Sequence, residues 1–519
     1  MRHPTRTIAR LLPLVALAAC AGTCSAPEAP PALARWLVPR PAPLPDPGGP
    51  PDDVRWAIER LLGRGLVDED SGGRVVPALA RTFAPAADGL TWTFTLRPGL
   101  TFANGETLRS MHVREAIERG FSRRDHATQR WLLRAVEGVS AIRPGRPLPK
   151  LGIQTPDDST LIVRLARPDS LLPAALALPG VATPWRNGPP DSGWAALDGV
   201  GPYRLAARQP GRLTLVRRDP GPLPARAAYD TLWIRFATAS RARALLRAGA
   251  TDVAWPLPVG DPLREDAFEG YRWASLPPGA VRPGRRLELV MRADVAPTAK
   301  LAARRALAHS INRPDVLRSV TGHVEPFRSF WPQAGPFDFP RLDEGEQLGW
   351  MRRGRLGASF HTRLAFDPDE VHERVARRMQ AQWARSGLSV DVMPLRGRRL
   401  IEERLAGRAQ LLLHVTHGLL EEPATDLAML GRPGRDAPVG RYRSGWAAPA
   451  AGTGGPAGGA GRAEALRAAQ RAIEEATVVL PLGVLGWTWI AREGADPLPF
   501  HPRYGPEFST SVTRGIAGR

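Results

Sequence analysis

The stretch that decides the fold reads DGLTWTFTLRPGLTFANG and occupies residues 88–105. Apolar and polar residues alternate within it, so Trp92, Phe94 and Leu96 lie on one face of a predicted β-strand. Asn104-Gly105 supplies the residue types that a tight turn requires after that strand. The stretch therefore predicts a half-buried strand within a sheet, followed by a turn.

The segments around this stretch alternate between helix and strand patterns. Val371, Val375, Met379 and Trp383 recur every four residues, and Gly387 follows where the C-cap of a helix is expected. A repeated succession of helix and strand is typical of an α/β fold. The other predicted strands are 160–165, 213–217, 232–236, 388–392 and 411–413, and the predicted helices are 53–62, 113–121, 240–247, 300–311, 370–386, 400–405 and 464–477.

Length and composition limit the class of protein. A chain of 519 residues with 43% hydrophobic residues has enough apolar material for two or three folded domains. Two cysteines exclude a disulfide-rich scaffold and a cysteine-based zinc framework. The formal net charge of +20 comes from 69 arginines and only two lysines, in a chain crowded with Ala, Gly and Pro, which indicates a codon bias toward GC-rich triplets. Attraction to anionic partners is the alternative interpretation. The arginines are nevertheless spread along the chain without a basic block, so nucleic acid is not an expected partner.

The N-terminus has the pattern of an export signal. Three arginines precede a short apolar run at residues 11–17, which leads through small residues to Cys20. This pattern predicts a signal peptide over 1–19. The residues LAAC at 17–20 resemble a bacterial lipobox, which implies that Cys20 is lipidated and becomes the first residue of the mature protein. An ordinary signal peptide with a coincidental cysteine is the alternative.

The segment after the signal is rich in proline and alanine. Residues 20–51 favour extended polyproline conformations, so we expect a tether that holds a folded body away from a membrane. No later segment has about 18 uninterrupted apolar residues, so no membrane-spanning helix is predicted.

Several motifs, in order along the chain, resemble one family. They are the stretch at 88–105, TPDDST at 155–160, GPY at 201–203 and RRALAHSINR at 304–313. Together they resemble the extracellular solute-binding proteins of ABC importers, family 5, which is the peptide, nickel and oligopeptide-binding type. The resemblance covers roughly residues 53–500, nearly the whole folded body.

This resemblance implies an α/β, two-lobed periplasmic-binding-protein-like fold with an extra small domain and a cleft between the lobes. A hinge motion that closes the lobes would enclose the ligand. The expected divisions are lobe I from 52–75 plus 195–280 plus 478–519, a small extra domain at 76–194, and lobe II at 281–477 with a mobile Gly/Ala-rich loop at 447–462.

The resemblance also implies a function. We expect a noncovalent receptor, exported and lipid-anchored to the bacterial cell envelope, that delivers a peptide or other small solute to an ABC permease. The separate ATPase of the transporter would supply the energy. A monomer without cofactor, metal or catalytic activity is expected.

One segment departs from the peptide-binding pattern of the family. There, an Asp pairs with the α-ammonium of the peptide, since a desolvated ammonium needs a fixed counter-charge. The aligned stretch at 416–423 reads THGLLEEP and has Leu419 at the Asp position. Glu421 or Glu422 is the candidate substitute, and surface carboxylates are the alternative. Thr416 and His417 belong to the same candidate ligand-binding stretch.

Three tryptophans are further candidates for ligand contact. Trp331, Trp446 and Trp487 fall in loops or beside segments that approach the cleft in the family, and aromatic walls suit an amphipathic ligand. His414 and His417 invite a metal interpretation, but residues three apart on a strand face opposite sides, so no metal site is predicted.

A degenerate family member is the alternative to a transport receptor. The family pattern before the last helix is replaced by the loop at 447–462, which weakens any transfer of ligand specificity. Such a protein would have a non-transport role in the cell envelope, as an interaction protein or an enzyme.

Overall fold

Three β-sheets of four or more strands organise the described part of the chain. A computed structural model describes residues 32–43, 52–122, 127–143, 145–187, 197–219, 221–257, 268–281, 284–320, 324–330, 336–357, 360–368, 370–418, 460–493 and 499–511. Within these residues the helices are α1 (Asp53–Leu62), α2 (Ser110–Ser122), α3 (Ala127–Leu132), α4 (Leu172–Ala177), α5 (Ala239–Arg247), α6 (Leu301–His309), α7 (Arg313–Arg318), α8 (Glu344–Gly354), α9 (Glu370–Arg385), α10 (Gly397–Leu405) and α11 (Ala460–Ala476).

The strands are β1 (Leu33–Val38), β2 (Val67–Glu69), β3 (Val75–Pro77), β4 (Ala80–Pro85), β5 (Thr91–Leu96), β6 (Ile153–Gln154), β7 (Thr160–Arg164), β8 (Trp185–Asn187), β9 (Leu197–Gly199), β10 (Tyr203–Gln209), β11 (Arg212–Arg217), β12 (Ala225–Ala227), β13 (Thr231–Phe236), β14 (Val253–Ala254), β15 (Tyr271–Leu276), β16 (Arg285–Met291), β17 (Val324–Pro326), β18 (His361–Phe366), β19 (Ser389–Pro394), β20 (Leu411–His417), β21 (Val479–Leu485), β22 (Trp487–Arg492), β23 (Phe500–His501), β24 (Gly505–Pro506) and β25 (Ser509–Ser511).

The first sheet has seven strands in the order β10-β11-β13-β1-β14-β22-β15. Its inner face buries Trp36, Ile234 and Leu215 with α1, because side chains alternate between the two faces of each strand. Residues from the beginning, the middle and the end of the chain meet in this sheet. We call this body the seven-stranded lobe.

The central strand β1 corrects the predicted tether. The sequence predicts extended, unpacked chain over 20–51, yet β1 pairs in parallel with β13 and β14, and its Trp36, Leu37 and Val38 are fully buried. The prolines at 31 and 39 bracket the apolar run at 32–38, so the high local proline content conceals a strand. Prolines cannot donate ladder hydrogen bonds, but they are compatible with either end of a strand.

The second sheet has six strands in the order β17-β21-β16-β20-β18-β19. Helix α9 packs on it through Val375, Met379 and Trp383, which are all fully buried as their spacing predicts. The indole of Trp383 donates to the carbonyl of Leu307 at 2.9 Å, and Gly387 follows the helix with φ 73°. This left-handed conformation favours glycine and ends the helix. We call this body the six-stranded lobe.

The last helix of this lobe begins earlier than the sequence predicts. Helix α11 starts at Ala460, inside the predicted loop at 447–462, instead of at residue 464. Residues 460–462, which read AGR, form the end of the low-complexity segment and the beginning of this helix. Alanine is the best helix former, which favours this earlier start. The remainder of that segment lies outside the described residues.

The third sheet has four strands in the order β4-β5-β7-β6 and contains the stretch that opened the sequence analysis. Strand β5 buries Phe94 and Leu96, and Trp92 stacks on Phe83 with ring centroids 6.5 Å apart. The predicted strand is therefore confirmed. This small domain has its own apolar core, which α2 and α4 complete.

Candidate functional site

Two crossings of the chain join the seven-stranded lobe to the six-stranded lobe. One follows β15 and leads into β16, and the other runs from β21 into β22 with only Gly486 between them. Strands β15 and β22 pair in one sheet, while β16 and β21 pair in the other. The two crossings therefore lie side by side, as the two strands of a hinge do.

Arg285, the first residue of β16, connects the two crossings. Its Nη1 donates to the carbonyl oxygen of Gly486 at 3.0 Å, and its guanidinium carbon lies 3.8 Å from the ring centroid of Trp487. Its Nη2 also lies 3.9 Å from Oδ2 of Asp53, in the first turn of α1. One side chain of the six-stranded lobe thus contacts both the crossing and a helix of the seven-stranded lobe.

A local capping pattern fixes the N-terminus of α1 beside this crossing. Asp52 is the N-cap, and its Oδ1 accepts from the backbone N–H of Arg55 at 2.8 Å. Asp53 follows in the first turn, where a negative charge is favourable next to the helix dipole. Arg40, which follows β1, donates to Asp52 at 2.7 Å and ties the helix start to the central strand.

A group of buried charges holds the other end of α1. Asp68 accepts from Arg60 and, at 2.6 Å, from Arg64. Burial works to raise the pKa of Asp68, but the two guanidinium groups outweigh it and lower that pKa. Glu69 lies 3.2 Å from Nε of Arg503. We call these residues, together with His501 and Tyr504, the charged seam.

His501 shows how closely the seam is packed. Its Nδ1 accepts from the backbone N–H of Arg503 at 3.1 Å, and its Nε2 lies 3.3 Å from the carbonyl of Glu69. The ring is therefore a neutral Nε2–H tautomer. Burial, with the positive charge of Arg60, lowers the pKa of His501 to about 3.

A second polar cluster lies on the six-stranded sheet. Glu288 is completely buried and accepts from Nε of Arg286 at 2.7 Å and from the hydroxyl of Thr416 at 2.6 Å. His414 completes the cluster, with its Nε2 3.3 Å from the same hydroxyl. A buried carboxylate needs such partners because unpaired burial of a charge is costly.

The structure describes three of the sequence-predicted ligand residues. Thr416 is half-buried, and its hydroxyl already binds Glu288. His417 ends β20 and pairs with Arg285 across the ladder, so the chain reaches the crossing at this point. Trp487 is 1% exposed and donates its indole N–H to Pro502 at 2.9 Å. This burial corrects the expectation of ligand contact for Trp487 in this conformation, since its position under Arg285 gives it a structural role.

The other predicted residues lie outside the described part of the chain. They are Leu419, Glu421, Glu422, Trp331, Trp446 and the lipidation candidate Cys20. Gly418 still belongs to the described residues, and its N–H donates to Gly284 at 3.3 Å. The candidate segment at 419–422 therefore begins directly at the crossing.

Sequence analysis missed Arg285, Asp53 and Glu288. A signal for Glu288 exists, since it is a single acid in the apolar run LELVM at 287–291, where a strand buried on both faces must pair any charge. Arg285 gives no such signal, because arginines are frequent throughout this chain. Among the described residues, no three His, Cys, Asp or Glu side chains are grouped to hold a metal ion.

Trp131 joins the small domain to the six-stranded lobe. It lies on α3 and packs against the apolar cores of both bodies. The guanidinium carbon of Arg134 lies 4.1 Å from its ring centroid. This contact is a second connection between parts of the molecule, away from the crossing.

Comparisons with known proteins agree with this architecture. The family model of bacterial extracellular solute-binding proteins, family 5 Middle, matches residues 74–437. A dipeptide-binding protein of Lactococcus lactis is 30% identical over 118 residues, and the chain spans only 22% of the length of that relative. A glutathione-binding protein, GsiB, of Escherichia coli is 23% identical over 379 residues, which is 70% of either chain.

Solved structures show the same fold. The murein tripeptide-binding protein MppA of Escherichia coli superposes with a TM-score of 0.78 at 19% identity, over 92% of this chain and 97% of MppA. The unliganded open form of MppA gives 0.61, over 92% and 96% of the two chains. The predicted α/β, two-lobed fold with an extra small domain is confirmed, and the chain belongs to the bacterial extracellular solute-binding proteins of family 5.

Proposed function

We propose that this protein captures a peptide-like or other small solute between its two lobes outside the cytoplasm and delivers it to an ABC permease. Proteins of family 5 are extracytoplasmic components of ABC importers that bind peptides or other small solutes. The observation that carries the proposal is the pair of adjacent crossings, one from β15 to β16 and the other through Gly486. Two adjacent strands allow one lobe to rotate against the other.

Closure of the lobes would couple ligand binding to docking on the permease. A ligand that contacts both lobes binds the closed form more tightly and shifts the population toward it. Arg285 supports this role, since its contacts with Gly486 and Asp53 bridge the two lobes. The sheets depart from the predicted divisions at two strands, since β1 adds residues 33–38 to the seven-stranded lobe and β21 extends the six-stranded lobe to residue 485. We expect both lobes to act in a monomer.

The segment at 419–422 is the proposed source of ligand specificity. It begins at the crossing, and Leu419 replaces the Asp that would bind a peptide ammonium. Glu421 or Glu422 would then pair with a cationic group of the solute. Substituting the pairing residue by Gln is expected to weaken binding at least ten-fold, since leaving a buried charge unpaired costs about 3–5 kcal/mol.

The matched control for this test is Glu373→Gln. Glu373 is an exposed carboxylate on α9 that lies 3.7 Å from Arg377, so its loss removes the same charge without touching the cleft. Isothermal titration with the identified solute gives the affinities. Unchanged affinity in both Glu421→Gln and Glu422→Gln would remove this assignment.

A lipid anchor on Cys20 is the proposed attachment to the cell envelope. The lipobox-like residues at 17–20 support it. Cys20→Ser is expected to release or misprocess the protein. Membrane fractionation and the intact mass of the mature chain check this, and unchanged values would contradict it.

Native mass spectrometry of the full mature protein tests the function as a whole. We expect a discrete bound mass, which denaturation releases for identification, and a smaller radius of gyration by X-ray scattering when the solute is added back. A protein that binds no solute from peptide and metabolite pools, and that never closes, would instead favour a non-transport role in the cell envelope.

A further inference from the structure

The outward face of the seven-stranded sheet carries a group of arginines around one indole. Side chains at 33 and 35 on β1, 233 and 235 on β13, and 212 on β11 share this face, because Arg35 pairs with Trp233 and Arg235 pairs with Arg212 in the ladder. We call Leu33, Arg35, Arg212, Trp233 and Arg235 the outer basic face.

Two of these arginines enclose the indole. The guanidinium carbons of Arg212 and Arg235 lie 4.9 Å and 5.2 Å from the ring centroid of Trp233. Nε of Arg212 is buried and has no hydrogen-bond partner among the described residues. Trp233 itself is half-buried, so the stack is open to the outside.

The local charge on this face is strongly positive. Burial lowers the pKa of Arg235, and the charges of Arg212, Arg35 and Arg241 lower it further. The carboxylates nearby already have partners, since Asp252 is shared between Arg35 at 2.7 Å and Arg492 at 3.2 Å, and Asp230 lies 2.8 Å from Arg217. These two acids therefore offset only part of the positive charge.

Only part of the sheet is covered by a helix. Helix α5 packs over Leu37, Ala254 and Ile490 through Ala242 and Leu246. Towards the other edge of the sheet most side chains of β10 are exposed, and Leu33 at the start of β1 is 40% exposed. The outer basic face thus lies beside the part of the sheet that α5 covers, with an exposed leucine at its margin.

The N-terminal segment enters the body at this face. The N–H of Ala32 donates to Oδ2 of Asp230 at 2.9 Å, which fixes the entry point beside the first residue of β13. Twelve residues separate Cys20 from Ala32, and they span at most about 40 Å when fully extended. A lipid on Cys20 would keep this face within that distance of the bilayer.

We propose that the outer basic face lies against an anionic phospholipid bilayer, so that the seven-stranded lobe rests on the membrane that carries the transporter. Arginines attract acidic headgroups, and tryptophan is favoured at the level where headgroups meet water. The exposed Leu33 fits a membrane better than a nucleic acid. Single-stranded nucleic acid is bound by successive stacking aromatics, whereas this face carries one indole.

Vesicle binding tests this proposal without the lipid anchor. The full-length chain carrying Cys20→Ser is mixed with vesicles of 30% phosphatidylglycerol in phosphatidylcholine, or with phosphatidylcholine alone, and floated on a density gradient. We expect binding to the anionic vesicles only. The double substitution Arg212→Gln with Arg235→Gln is expected to lower the partition coefficient about thirty-fold, and Arg235→Gln alone about five-fold.

The matched control is Arg374→Gln with Arg377→Gln, which removes the same charge from the exposed face of α9 in the other lobe. It is expected to leave partitioning within about two-fold of the parent. Circular dichroism and thermal unfolding confirm that each variant is folded. An equal loss in the control, an unchanged Arg212 and Arg235 variant, or stronger retention on double-stranded DNA than on vesicles at 0.15 M salt would each overturn the proposal.

Discussion

The two lobes bury charge in different ways. The seven-stranded lobe concentrates ionic side chains in the charged seam, where Arg60, Arg64 and Asp68 lie between α1 and neighbouring short strands. The six-stranded lobe buries a largely aliphatic core and places Glu288 with Arg286 within a single strand. The first arrangement joins separate elements, whereas the second lies inside one layer.

This difference shows where each lobe needs polar contacts. At the seam, Trp56 of α1 and Tyr504 belong to the apolar core of the small domain. Ile58 and Leu61, which also lie on α1, belong to the core of the seven-stranded lobe. Helix α1 therefore serves two cores at once, and directional ion pairs fix its orientation between them. In the six-stranded lobe the backbone ladder already fixes the strands. Glu288 and Arg286 lie on one strand, where each charge balances the other.

The largest effect is expected from breaking the pair in the six-stranded lobe. Glu288→Leu leaves Arg286 without its buried carboxylate and should reduce the free energy of unfolding by about 3–5 kcal/mol. The double variant Arg286→Met with Glu288→Leu should recover most of this loss, because both charges are then absent. Urea unfolding measures both, and a double variant as unstable as the single one would contradict the prediction.

A pH titration addresses the seam. The pKa of His501 is about 3 in the folded protein and near 6.5 when unfolded, so only the unfolded chain gains a proton between these values. The contribution of His501 to the free energy of unfolding is complete above pH 6.5 and decreases as the pH falls. At pH 5 this contribution to the free energy of unfolding should be about 2 kcal/mol smaller than at pH 7.5.

His501→Gln should remove that part of the pH dependence, measured by urea unfolding at both pH values. The matched control is His361→Gln, which changes an exposed histidine paired with Asp391 at 2.8 Å on the six-stranded lobe. The control should keep the pH dependence of the parent. An identical pH response in the parent and in His501→Gln would remove His501 from this account.

The smallest effect concerns the boundary between the lobes. Arg285→Ala loses the contact with Trp487 and the hydrogen bond to Gly486, which together contribute about 1–2 kcal/mol. The free protein should then populate more open forms, with a larger radius of gyration by X-ray scattering. Arg272→Ala on β15 removes an exposed arginine nearby and should leave the radius unchanged.

Local patterns predicted most elements of the fold. The strand at 91–96 and the helix α9 follow from alternation and four-residue spacing, because burial of one face imposes that periodicity. The strand β20 follows from its run of three leucines at 411–413. Strand β1 did not follow from its own residues. Its partners are more than 190 residues away, so only the assembled sheet shows why an apolar hexamer among prolines becomes a strand.

The candidate site was less accessible to prediction. The assignment of Thr416 and His417 to a ligand-binding segment came from a family resemblance and stays a prediction. The contacts of Glu288 and the bridging role of Arg285 depend on cross-strand neighbours. Such neighbours are set by register, which a single sequence does not specify. Trp487 illustrates the converse, since a tryptophan near a loop in sequence is enclosed in three dimensions by Trp255 and Arg285.

The central position of β1 has a consequence for the order of folding during synthesis and export. The strand leaves the ribosome early, but its neighbours β13 and β14 follow only at residues 231 and 253, and β22 completes the sheet at residue 487. The six-stranded lobe, in contrast, comes from one continuous segment between residues 285 and 485. We therefore expect the sheet of the seven-stranded lobe to be completed last, because β22 leaves the ribosome only after the whole six-stranded lobe has been synthesised.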